Sequence, residues 1–321
     1  MTRLKFKGSA GAFLKIAWAD FLLVILTLSL YYPKAMIREM KYLYAETTLA
    51  EHSFSYSGTY KSYLMGYLRA LLAIILGVGI FGGAFYLMSD IFKDIPQAVF
   101  FSYLFLYISY IFLLTPIILF GSLTYHLNNT GWKTAQVKWS GKLSEFLPLH
   151  FLGSLLTMLT LGFYSPWQEA RLNKFYLTNL QFGSLQFDYS GNGKSLFSIY
   201  WKGLLFGILT LGIYSIWNFK ARYNYTVCNM VVKKGEHEFK LHSNANTLEV
   251  YELILGNVLI VVLTLGFGIP WAYIRYIRFM INHCIIPESF NLDVIEDCAE
   301  VDVANDAKAN WLDKLNPRLI F

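Results

Sequence analysis

The chain has 321 residues, of which 15% are charged and 18% aromatic, with a mean hydropathy of +0.42 and a net charge of +6. A soluble domain carries roughly 25% charged residues, so this composition excludes an ordinary water-soluble globule. The charge is uneven: residues 287–321 hold eight acids and three bases, a net of −5, which leaves +11 on the rest.

The first apolar run, 13–30, follows Arg3, Lys5 and Lys7 in the manner of a secretory signal. Asp20 interrupts it, however, and its end shares a pattern with later segments, so it is read as part of the structure. Runs 64–88 and 98–123 reach the ~20 apolar residues that a membrane crossing needs. They form an expected helical hairpin with a loop at 89–97, Gly79-x-x-x-Gly83 for close packing and Pro116 as a kink. Runs 146–161, 204–216 and 253–269 are shorter and depend on their flanks.

Four of these runs close on one pattern: Thr27-Leu-Ser-Leu-Tyr-Tyr-Pro33, Thr160-Leu-Gly-Phe-Tyr-Ser-Pro-Trp167, Thr210-Leu-Gly-Ile-Tyr-Ser-Ile-Trp217 and Thr264-Leu-Gly-Phe-Gly-Ile-Pro-Trp271. The threonines are 133, 50 and 54 residues apart, the first interval holding the long hairpin. A period near fifty reads as one supersecondary unit per copy. Glycine at 162, 212 and 266 fits a left-handed helix end. Pro33, Pro166 and Pro270 suit the first turn of a following helix. The tyrosines and tryptophans are those of a membrane–water interface. The first copy departs with Ser29 for glycine and Lys34 for tryptophan.

Beyond each corner, bases stand four and seven residues after the tryptophan position: Arg38 and Lys41, Arg171 and Lys174, Arg275 and Arg278. A spacing of three puts each pair on one helix face. That face offers phosphate or another anion a site, set against the plainer role of long side chains reaching up to the interface. In the third copy Lys220 and Arg222 lie beside those positions. Short strands closed by Ser-Gly follow at Phe54-Ser-Tyr56, Val137-Lys-Trp139 and Phe187-Asp-Tyr189, with weaker versions at Phe6, Phe239 and Phe290. They must lie outside the hydrocarbon, where open sheet edges are excluded.

Seven residues before each threonine stand Asp20, Gly153, Gly203 and Asn257, a register of small or polar residues that meets protein. Asp20, inside an apolar run, is a functional candidate with Lys202 or a corner arginine as its partner. Lys15 and Glu252 occupy equivalent positions and are candidates for a ring-closing pair. His150, His237 and His242 do not form a metal pattern. Three cysteines (Cys228, Cys284, Cys298) without CxxC spacing give neither a disulfide framework nor a zinc site. No nucleotide, zincin or nucleophile-elbow motif occurs.

The corner Thr160–Trp167 with Gln168-Glu-Ala-Arg171, and Phe187-Asp-Tyr-Ser-Gly191 after it, resemble the YjgN-like family of bacterial inner-membrane proteins over most of residues 1–295. The resemblance implies inner-membrane placement and supplies no activity or catalytic residues. The expected fold is an α-helical polytopic membrane protein of four tandem helix–break–helix repeats with short extramembrane strands. Its units are 1–58, the inserted hairpin 59–136, 137–191, 187–241, 239–292 and an acidic, cytoplasmic tail 293–321. The expected function is a transporter or channel for a small solute, an anion being one candidate, along a path marked by Asp20, Lys202 and Asn257. The alternative is a non-transporting scaffold or lipid-binding protein whose bases hold anionic headgroups. No enzyme, cofactor, metal or nucleic-acid partner is expected; a protein partner would use the strand face or the tail.

Overall fold

The computed structural model describes residues 4–91 and 96–287. Along the chain, a short strand, two antiparallel helices and a second short strand follow one another. β1 (Leu4–Phe6) leads into α1 (Ala10–Leu26) and α2 (Tyr32–Ala45), which return to β2 (Thr47–Leu49). β3 (His52–Tyr56), α3 (Tyr60–Ile91), α4 (Pro96–Asn128) and β4 (Thr130–Trp132) follow. Next come β5 (Ala135–Trp139), α5 (Leu143–Leu159), α6 (Ser165–Thr178) and β6 (Leu180–Phe182). Then come β7 (Leu185–Tyr189), α7 (Gly193–Leu209), α8 (Ser215–Cys228) and β8 (Met230–Lys234). Last are β9 (His237–Lys240), β10 (His242–Ser243), α9 (Thr247–Leu263), α10 (Ile269–Asn282) and β11 (Cys284–Ile285). The long hairpin α3–α4 thus stands between two strands as the four shorter hairpins do.

β1 to β9 form one antiparallel sheet in chain order, and β10 pairs with β11. The two strands that flank each hairpin pair at its base, with Phe6 opposite Thr47, Tyr56 opposite Thr130, Trp139 opposite Leu180 and Tyr189 opposite Met230. Tight turns with positive φ at Ala50, Glu51, Lys133, Gly183 and Gly235 join the remaining neighbours at the opposite end. Alternation sends Phe54, Val137, Phe187 and Phe239 to an apolar inner face, while Ser55 and Lys138 are exposed. The rings of Trp139 and Tyr189 lie over Gly141 and Gly191, where a β-carbon would come within 2.6 and 2.4 Å. That close approach explains the Ser-Gly signal after each strand.

Each helix packs on the next in chain order, and α1 packs on α10, so the ten described helices close a ring. The closure is made by Trp18, whose indole donates to the Phe267 carbonyl at 3.0 Å and stacks on the Phe267 ring. Arg278 donates to the Gly8 carbonyl at 2.7 Å, and the Phe6 amide donates to Asn282 Oδ1 at 2.8 Å. Lys15 and Glu252 are both exposed.

The corners share one backbone. Leu28 and Ser29, Leu161 and Gly162, Leu211 and Gly212, and Leu265 and Gly266 all have positive φ. In each, the threonine hydroxyl donates four residues back, as Thr160 does to the Leu156 carbonyl at 2.7 Å, and accepts from the amide four residues on, as from Tyr164 at 3.0 Å. The same double contact recurs at Thr27, Thr210 and Thr264. Pro33, Pro166 and Pro270 occupy the first turn of α2, α6 and α10.

The expected α-helical polytopic bundle is overturned. Among the described residues a nine-stranded antiparallel sheet stands beside ten helices, and only 60–89 and 100–128 are long and apolar enough to cross a membrane. The reason is length. The short hairpins are built from helices of 17 and 14 residues, about 25 and 21 Å at 1.5 Å per residue, against a hydrocarbon core of about 30 Å. The tail at 293–321 and the strand signal at Phe290 lie outside the described residues.

Candidate functional site

The register seven residues before each threonine faces the partner helix of the same hairpin. Asp20 is 1% exposed, with Arg38 Nη2 3.1 Å from its carboxylate. Neither carboxylate oxygen accepts an aligned hydrogen bond, while Arg38 also donates to the Ile16 carbonyl at 3.3 Å. Gly153 makes room for Gln168, whose amide bridges Ser154 at 3.1 Å and Thr157 at 2.8 Å. Gly203 makes room for Asn218, and Asn257 donates to the Ala272 carbonyl at 3.2 Å. This layer therefore clasps two helices of one hairpin. Of the proposed partners for Asp20, the corner arginine is the one present; Lys202 is exposed on α7.

The six corner bases divide. Arg275 donates to the Glu252 carbonyl at 3.0 Å, and Arg278 makes the ring-closing bond to Gly8. These two and Arg38 are engaged with backbone. Lys41, Arg171 and Lys174 are exposed, and the Arg171 guanidinium stands over the Tyr164 ring at 5.7 Å. The unit with displaced bases uses them between hairpins. Arg222 pairs with Glu169 at 3.0 Å and lies 4.3 Å above the Tyr200 ring, Tyr200 donates to the same carboxylate, and Lys220 donates to Thr247 at 2.8 Å. Glu169 was not singled out from sequence; its place two residues after Trp167, on a helix with Arg171, was the available signal.

All four corners end in leucines at the extreme of exposure: Leu28 87%, Leu161 90%, Leu211 95% and Leu265 88%. A left-handed non-glycine residue costs about 1–2 kcal/mol, and an exposed leucine forgoes the roughly 1.5–3 kcal/mol of burial. Two unfavourable choices coincide at the same atom four times over, which is explicable when the tips lie in an apolar solvent.

The inner face of the sheet lines a partly open cavity of about 210 Å³ whose wall is wholly apolar, drawn from strands β1 to β3 and β5 to β9 and from Leu241, Ile286 and Pro287. A second cavity, about 330 Å³, lies between α2 and α10 and shares Leu4 and Phe54 with the first. Neither cavity is lined by Asp20, Lys202 or Asn257.

His237 and His242 fall on β9 and β10, and the His150 ring on α5 packs at a tilt against Phe146. Among the described residues no group of three or more His, Cys, Asp or Glu side chains is placed to hold a metal ion. On the outer face of the sheet Lys233 lies between Asp188 at 2.9 Å and Glu238 at 3.1 Å. The hydrogen bond from Lys233, helped by the Tyr189 amide, holds the Asp188 carboxyl below its ordinary range.

No curated protein and no solved structure matches the chain significantly. A family model described as "Bacterial protein of unknown function (DUF898)" matches residues 1–190 and 218–304. That span is most of the chain and includes the sheet and three of the four corners, the corner at 210–217 and Gly203 falling in the unmatched stretch 191–217; the protein belongs to this bacterial family, the YjgN-like family that its corner motif resembles.

Proposed function

We propose that the protein is a non-enzymatic, lipid-binding protein of the bacterial inner membrane. It is anchored by two crossings, α3 and α4, and by four short hairpins that dip into one leaflet. The observation that carries this reading is the set of four left-handed leucines, 87–95% exposed, at the hairpin tips.

Levels along the helices support it. Arg69 stands nine residues into α3, Lys202 nine into α7 and Asp20 ten into α1, about 13–15 Å from the sheet. Beyond that level the short first helices continue for six or seven residues, about 10 Å, which is less than one leaflet of a core about 30 Å thick. Lys41, Arg171 and Lys174, on the returning helices, then stand at headgroup depth. There, long basic side chains meet lipid phosphate.

Sidedness follows from the same levels. Among the described residues only the far ends of α3 and α4 extend to the opposite level, and the sequence 89–97 between them has Lys93 against Asp90 and Asp94. The basic excess belongs to the sheet side, so the positive-inside tendency puts the sheet and the tail in the cytoplasm. A solute pathway is the weaker reading, because neither of the two cavities beside the ring and sheet is lined by Asp20, Lys202 or Asn257, and the inner one has no polar wall. The test is lipid retained by the purified protein. Arg171→Ala with Lys174→Ala should lower bound phosphatidylglycerol severalfold while proteoliposomes show no solute flux. Undiminished retention would defeat the proposal.

A further inference from the structure

We infer that the apolar chamber inside the sheet holds one hydrocarbon chain of a membrane phospholipid. This rests on the lipid-binding reading and names the ligand's chemistry. Large side chains point inward from strands far apart in sequence, among them Leu49, Val137, Leu185, Phe187, Val232 and Phe239, and still leave about 210 Å³. A cavity with no polar wall does not retain water, and one of about 150 Å³ already accepts a benzene-sized apolar guest. The occupant is therefore hydrocarbon.

Its source is the bilayer. The chamber shares Leu4 and Phe54 with the cavity of about 330 Å³ between α2 and α10. Those helices belong to the two hairpins that close the ring, and both hairpins end in exposed leucine tips. A chain leaving the membrane between them enters the outer cavity, passes Leu4 and Phe54, and ends among the phenylalanines of the sheet. The outer cavity also carries Tyr44, Tyr273, Thr47 and Thr130, a wall suited to the polar end of the chain where the inner wall is not.

The test uses the full-length protein, freed of lipid in detergent, and a phosphatidylglycerol with one fluorescent polyene (parinaroyl) acyl chain. Saturable binding at one probe per protein is expected. Val137→Phe and Val232→Phe, which fill the void, should weaken it at least tenfold while raising Tm without ligand. Val137→Thr, equal in size but polar, should weaken it without altering the far-UV spectrum. Equal affinity in all three variants would overturn the inference. So would binding of the free polyene acid but not the phospholipid. Binding that appears only after Leu315→Glu and Leu319→Glu would assign the chamber to the protein's own tail, and would equally overturn it. Each of these failures with phosphatidylglycerol retention at Arg171 and Lys174 intact sinks this inference alone; loss of that retention effect sinks the reading beneath it.

Discussion

Asp20 and Arg38 give the sharpest test of whether the polar layer is a clasp or a pathway. The carboxylate is 1% exposed, whereas the Arg38 side chain is 43% exposed. Removing one partner of a buried pair costs about 3–5 kcal/mol because a charge is left stranded. Solvent at Arg38 screens this pair, so Arg38→Met should cost about 2–3 kcal/mol. Asp20→Asn leaves a cation that water can reach and that keeps its bond to the Ile16 carbonyl, so it should cost less than about 1 kcal/mol. The double variant should resemble Asp20→Asn, with a coupling of at least about 1.5 kcal/mol. Urea unfolding in bicelles of all four proteins gives the cycle. Equal losses from the two single changes, or strictly additive losses, would refute the clasp.

Two further outcomes follow from the corners and the sheet. Ser29 holds a left-handed φ of 72° where the other corners have glycine, so Ser29→Gly should raise stability by about 0.5–1 kcal/mol, read as an increase in Tm. Asp188 has a depressed carboxyl because Lys233 bonds its charged form. Its contribution is complete above the ordinary value of 3.8 and fades as pH falls through the lower folded value. Protection of the β7 and β8 amides against exchange, corrected for the intrinsic rate at each pH, should therefore fall below pH 4, by about threefold or less, and Asp188→Asn should abolish that acid dependence; an unchanged profile would refute the assignment.

The corners were legible because their chemistry is local. A threonine that bonds four residues back and four residues on, a left-handed pair and, in three corners, a first-turn proline all fall within eleven residues. The Asp20 partner was narrowed to a lysine or a corner arginine, since helical spacing gives the face but not the rotamer. The strands β3, β5 and β7 were visible through alternation and the glycine under each aromatic ring. β2, β4 and β6 were not, because three residues carry no period, and their register, such as Tyr56 opposite Thr130, is set across the whole α3–α4 hairpin. The fold class failed for a related reason. The short apolar runs were read as parts of a helical membrane bundle, although Asp20 within the first and Lys202 just before the run at 204–216 stand about 10 Å short of the tips. The chamber was invisible because no two of its opposite walls are close in sequence.

The central claim is that the hairpin tips lie in hydrocarbon. It is tested most directly by a fluorophore on Leu211→Cys, in a chain whose three native cysteines are serine, reconstituted in vesicles. Quenching by bromine on mid-chain acyl carbons, with protection from aqueous iodide, is the predicted result. Free quenching by iodide from either side of the vesicle, with no effect of brominated lipid, would contradict it.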